Sequence, residues 1–303
     1  MNYTKALSFI HQQGAIRGAK VIDMLSNAEF EIKANYVVNA AGPWVEEIDN
    51  LDEKIIRPKL RLTKGVHIVV DWKKLPVKQS LYFDTFDERM IFVIPKLGKT
   101  YIGTTDTFYS GDLKNPRLTE EDRDYLLKCV NNYFPENIIA SKDIESCWAG
   151  LRPLIDKPGK KPSEISRKDE LFISTSGLLT IAGGKLSGYR KMAQRVVDKL
   201  ANIIRIKEKR EIPRSSTEKI KLSGGKIDNG LSFSDFAKSK MKEGLTLGLS
   251  EPEVKILINR YGSNVTEVYT NIAQLRNEKN DLPIFLHAQL KYAIENEMCV
   301  NPS

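Results

Sequence analysis

The stretch Leu178–Leu200, LLTIAGGKLSGYRKMAQRVVDKL, constrains the fold of this 303-residue chain more than any other. Leu178–Ala182 is a short apolar run of buried-strand type, and Gly183-Gly184 is a turn. Apolar residues then recur at helical spacing through Tyr189, Met192, Ala193, Val196, Val197, Leu200, Ile203 and Ile204. A strand turning tightly into a long amphipathic helix is the unit of an α/β layer. A second such turn lies upstream. The β-branched run Tyr36–Asn39 leads into Ala40-Ala41-Gly42-Pro43 and then WVEEI, which predicts a buried strand passing into a helix with Pro in its first turn.

Between these turns the period changes. From Ile55 to Ile102 the chain reads as short strands (KLRLTKGVHIVVDW, QSLYFDTFD, RMIFVIPKLGKTYIGTT), with hairpin turns at Asp87-Glu88 and Leu97-Gly98-Lys99. That pattern predicts a mostly antiparallel sheet. Thr119 followed by Asp122 is a helix N-cap, and Leu126, Leu127, Val130 and Tyr133 give that helix its apolar face up to Phe134-Pro135. Ile144–Leu154 and Leu171–Ser174 read as further strands. Near the start, Ala15–Leu25 and Glu29–Lys33 flank a Ser26-Asn27 turn. After a charged linker (Arg205–Arg210, Ile212–Thr217), four short helices are expected at Phe233–Glu243, Glu251–Tyr261, Val265–Glu278 and Pro283–Glu297.

Composition narrows the class. With 41% hydrophobic and 28% charged residues the chain is neither fibrous nor mostly disordered. It contains no membrane-length apolar run, and MNYTKALSFIHQQG has neither a basic start nor a long apolar stretch, so a cytoplasmic setting is expected. Three scattered cysteines without a C-x-x-C pair fit reducing conditions, with no disulfide framework and no metal site. The net charge of +8 is local: Leu151–Ile220 holds 17 basic and 8 acidic residues, +9 in all. Such a stretch suits an anionic small molecule, an acidic membrane surface or nucleic acid. Nucleic acid is not expected, because Tyr189 falls on an apolar helix face and Phe172 in a strand of buried type, not among exposed bases.

Each candidate residue has two readings. Ala41-Gly42 and Gly183-Gly184-Lys185 are either plain strand–helix turns or places where a cofactor approaches the backbone, with Lys185 adding charge. His67, in an alternating strand, is either a satisfied structural histidine or a group able to take a proton from a hydroxyl. Arg152 sits in apolar WAGLRPL and cannot shed its charge, so it needs an anionic partner, whether an internal carboxylate or a ligand. Arg167 lies at a turn, with a surface role as its default. The P-loop pattern fails because Leu179 stands where its first glycine is required, and no G-x-G-x-x-G, H-E-x-x-H or G-x-S-x-G occurs.

In order, VVNAAGPWV, RLTKGVHIVV, YIGTTDT, WAGLRPL, Ser166-Arg167-Lys168-Asp169 and LLTIAGGKLSGYRKMAQ resemble the FAD-dependent (aerobic) glycerol-3-phosphate dehydrogenases, close relatives of the α-glycerophosphate oxidases. The resemblance implies an α/β fold: an incomplete FAD-binding Rossmann-like domain (1–55 and 151–205), an inserted antiparallel-sheet substrate domain (56–150) and a helical C-terminal domain (206–303). Members are longer at the N-terminus, where a glycine-rich loop holds the FAD pyrophosphate, so the chain is expected to be a fragment. The implied reaction moves hydride from C2 of sn-glycerol 3-phosphate to FAD, giving dihydroxyacetone phosphate, with electrons passing to quinone, or to oxygen in the oxidases. A non-catalytic remnant that binds no flavin is the alternative. By motif position, Arg152 and Arg167 hold phosphate or hydroxyl, and Lys185 lies near flavin and substrate. His67 meets the C2 hydroxyl, either it or Arg152 serving as base, and Ala41, Gly42, Gly183, Gly184 and Lys185 line the FAD path. Quinone transfer implies a peripheral seat on the inner face of the cytoplasmic membrane.

Overall fold

The computed structural model describes residues 1–52, 59–156, 159, 168–227, 230–276 and 281–301. Ile55 at the start of the predicted sheet, Arg167 and Glu278 lie outside the described residues. The chain divides into two compact units, Tyr3–Arg214 and Ser215–Ser303.

The first unit opens with an antiparallel meander of β1 (Thr4–Gln12), β2 (Ala15–Asp23) and β3 (Glu29–Lys33). Next come β4, only Val38–Asn39, a 3-10 turn at Gly42–Trp44 and the short helix α1 (Val45–Asp49). The upstream strand–turn–helix is therefore present but smaller than its β-branched run suggests.

The large sheet follows: β5 (Leu60–Asp71), β6 (Leu81–Asp84), β7 (Met90–Lys96), β8 (Lys99–Gly103) and β9 (Thr107–Phe108). Helix α2 (Glu120–Tyr133) then leads to β10 (Ile144–Ile155). All pairings are antiparallel, in the order β10-β5-β8-β7-β6 with β9 also on β5. One sheet face packs on α2, burying Ile68, Val70, Ile91, Val93 and Ile102 against Leu126, Cys129 and Val130. Each such side chain contributes roughly 1.5–3 kcal/mol. Thr119 and Asp122 form a reciprocal capping box at the start of α2. Asp122 also pairs with Lys64, and both are nearly sealed from water (side chains 4% and 6% exposed), tying the helix start to β5.

β11 (Asp169–Ile173) and β12 (Leu179–Gly183) complete a small sheet in the order β11-β12-β4, where β12 pairs in parallel with β4. Helix α3 (Tyr189–Glu208) starts after a further 3-10 turn at Leu186–Gly188, so the helix does not open directly on Gly183-Gly184. Its apolar face has the expected period but not the expected burial. Val196 and Ile204 are buried, whereas Tyr189 and Val197 are more than half exposed.

In the second unit, α4 (Phe233–Thr246), α5 (Glu251–Tyr261), α6 (Val265–Leu275) and α7 (Ile284–Asn296) match the four predicted helices. They share a core around Val254, Leu257, Val265, Val268, Ile272 and Ala288.

Candidate active site

A cavity of about 930 Å³ lies where β4, β10, β12 and α3 meet. Gly183 and Gly184 form its turn at φ +78° and +90°, a region that side chains disfavour. Space reinforces the choice: a Cβ on Gly183 would sit 2.6 Å from the Lys168 carbonyl oxygen, and one on Gly184 2.5 Å from Met192 Sδ. Gly42, Gly183, Gly184, Arg152 and the exposed Lys185 all border this cavity, so the structure brings together five of the eight candidate residues. Ala41 does not line it. Its N–H instead donates to Asn39 Oδ1 (3.1 Å), leaving Ala40 and Gly42 on the wall.

That hydrogen bond belongs to a buried network the sequence reading missed. Asn39 Nδ2 donates to the Val45 carbonyl (2.9 Å) and to Asp49 Oδ1 (2.8 Å), and Thr180 Oγ1 donates to the same carboxylate oxygen (2.7 Å). These bonds fasten β4, the turn and α1 to β12 and so fix the cavity wall. The signal was present: a polar Asn39 inside an apolar run must find partners if it is buried.

The open face of the large sheet carries the other chemistry. One cross-strand row runs Tyr82, Phe92, Gly103, His67, Trp148 over β6, β7, β8, β5 and β10. The next pair along β5 and β10 is Gly65 and Gly150, followed by Thr63 and Arg152. Neither glycine carries a side chain onto this face. Arg152 uses the gap, and its guanidinium fills the space a side chain on Gly65 would take. It thereby crosses β5 to donate to Thr104 Oγ1 (2.9 Å), the Thr105 carbonyl (3.3 Å) and Asp106 Oδ1 (3.3 Å). Both readings of Arg152 meet here, since it has an internal carboxylate and also stands on a cavity wall.

His67 lies on this sheet face rather than on the cavity lining. Its ring leans over Gly103, where a Cβ would collide with it, and packs on the Trp148 indole at 4.4 Å between centroids. Burial, with the Arg152 charge as a second cause, lowers its pKa from 6.5 to about 4. The imidazole is therefore neutral at pH 7. Trp148, Gly65, Gly103 and Gly150 were not singled out from sequence, because strand pairing alone makes them neighbours of His67 and Arg152.

Comparison with known proteins agrees with this architecture. Residues 1–190 match a family described as FAD dependent oxidoreductase, and residues 215–303 match the C-terminal domain of alpha-glycerophosphate oxidase. The aerobic glycerol-3-phosphate dehydrogenase of Bacillus subtilis is 45% identical over 305 residues, covering 100% of this chain and 55% of the relative. That of Staphylococcus haemolyticus is 47% identical over 306 residues, with the same coverage. The crystal structure of glycerol-3-phosphate dehydrogenase from Bacillus halodurans complexed with FAD aligns with a TM-score of 0.89 at 44% identity, covering 100% of this chain and 58% of that one. The chain thus spans about half the length of the curated relatives it matches. With a glycine-walled cavity, an inserted antiparallel sheet and a family match over most of its length, the chain belongs to the FAD-dependent oxidoreductases.

Proposed function

We propose that this chain supplies the substrate-facing part of an FAD-dependent dehydrogenase that converts sn-glycerol 3-phosphate to dihydroxyacetone phosphate. The observation that carries the reading is the placement of Arg152 on the wall of the glycine-turned cavity and on the same sheet face as a neutral His67. The relatives' names point to the same substrate.

The cavity suits the ring end of FAD. Backbone at Gly183-Gly184 is bare, the α3 side is apolar, and Lys185 at the rim offers positive charge. FAD, when bound, supplies the hydride acceptor. Arg152, with Arg167, holds the substrate phosphate through charge-assisted hydrogen bonds. His67, neutral at working pH, accepts a hydrogen bond from the C2 hydroxyl. Residues 1–55 and 151–205 form the flavin layer in this reading, 56–150 the substrate sheet and 206–303 the helical C-terminal domain. Electrons leave to quinone or oxygen, and quinone transfer would seat the protein peripherally on the inner face of the cytoplasmic membrane, where basic side chains meet acidic lipid. Among the described residues no helix is long and apolar enough to cross a membrane.

The test is dye reduction driven by glycerol 3-phosphate in the FAD-loaded protein. Arg152→Ala lowers kcat/KM on the order of 10²- to 10³-fold. An unchanged kcat/KM overturns the assignment.

A further inference from the structure

We infer that Trp148 is a positioning residue for His67, its indole fixing the plane of the imidazole and shielding it from water. This rests on the proposed role of His67. The two side chains are direct partners across β10 and β5, with ring centroids 4.4 Å apart and planes inclined by 48°. Trp148 is itself held by Tyr101, edge-on at 6.2 Å. On the other flank of the imidazole stands Gly103, whose bare backbone lets the ring lean in. His67 is thus confined between an indole and a strand, with little freedom to rotate.

The exposure of Trp148 argues against simple core packing. It is 48% exposed, on the face of the sheet turned away from the α2 core. A large aromatic left half in water contributes less burial than one inside, while its contact with a single imidazole is close. The surrounding groups bear on the same ring. Arg152 on β10 repels a proton on it, Asp106 after β8 pairs with Arg152, and Tyr101 on β8 lies edge-on to the indole.

Two effects of the indole oppose each other. Contact with an aromatic ring favours the imidazolium, by less than about one pK unit at a half-exposed site. Shielding from water disfavours it, and burial is the larger cause of a displacement from 6.5 to about 4. The indole covers one side of the ring, so removing it is expected to move His67 upward.

The experiment combines a titration with turnover. NMR titration of the imidazoles in this chain, which has three histidines, is assigned with His67→Gln. Trp148→Ala raises the His67 midpoint by a unit or more, and Trp148→Phe keeps it low. In the FAD-loaded protein Trp148→Ala lowers kcat about tenfold with KM for glycerol 3-phosphate within twofold, and Trp148→Phe restores it. Trp148→Leu, which lacks the indole plane that holds the imidazole, lowers kcat as well and carries the test if the alanine variant fails to fold. If His67→Gln leaves turnover intact, the role of His67 falls and the inference with it. If His67→Gln abolishes turnover but Trp148→Ala and Trp148→Leu change neither midpoint nor kcat, the inference alone is overturned.

Discussion

Arg152 lies across β5 in the space above Gly65, where any side chain would have to displace it. An arginine on one strand thereby reaches Thr104–Asp106 beyond its neighbour, and a glycine in the intervening strand makes that reach available.

Gly65→Ala therefore acts as a substitution at Arg152. The added methyl moves the guanidinium off Thr104 and Asp106, with overpacking costing about 1–3 kcal/mol. If Arg152 holds the substrate phosphate as proposed, KM for glycerol 3-phosphate rises while far-ultraviolet circular dichroism is unchanged. A wild-type KM in a folded Gly65→Ala protein counts against the proposed role of Arg152.

His67 predicts a pH dependence of stability. Its folded pKa, about 4, lies below its unfolded value, 6.5. Between these values the unfolded chain binds a proton that the folded chain refuses, so stability falls as pH drops from 6.5 toward 4 and levels off below. Urea midpoints across this window decline less steeply in His67→Phe than in the parent, and parallel slopes exclude the effect.

The Lys64–Asp122 pair gives an asymmetric mutational result. Burial pushes the Asp122 carboxyl up, but Lys64 and the Thr119 cap outweigh it and hold the pKa below its ordinary value. Lys64→Met leaves a buried carboxylate unpaired and destabilises by about 3–5 kcal/mol, whereas adding Asp122→Asn recovers part of the loss. Denaturant unfolding of the two single variants and the double variant measures the coupling.

Asn39→Leu removes two donated bonds and leaves the Asp49 carboxylate with Thr180 as its remaining partner in the network described above. The expected loss is roughly 2–3 kcal/mol, from a buried acceptor losing its donor. If the cavity takes the flavin as proposed, flavin affinity weakens too, because the wall at Ala40, Gly42 and Pro43 loses its anchor. Fluorescence titration with FAD reads this separately from thermal unfolding.

Much of the fold is written in local pattern. The Thr119–Asp122 capping box, the hairpin at Asp87-Glu88 and the four C-terminal helices follow from neighbours within a few residues. The site is less so. Periodicity marks Val197 and Tyr189 as apolar but does not say what covers them, and they lie beside an open cavity instead of in a core. Register is hidden as well. Nothing local indicates that Trp148 faces His67 or that Gly65 faces Gly150, since these are choices among possible alignments of two long strands.

β10 holds Trp148 and Arg152 on one uninterrupted backbone, bonded along its length to β5. The strand is in effect a stiff bar with two tools mounted on it. Sliding it against β5 carries both side chains the same distance, so under the proposed roles phosphate grip and imidazole alignment are set together.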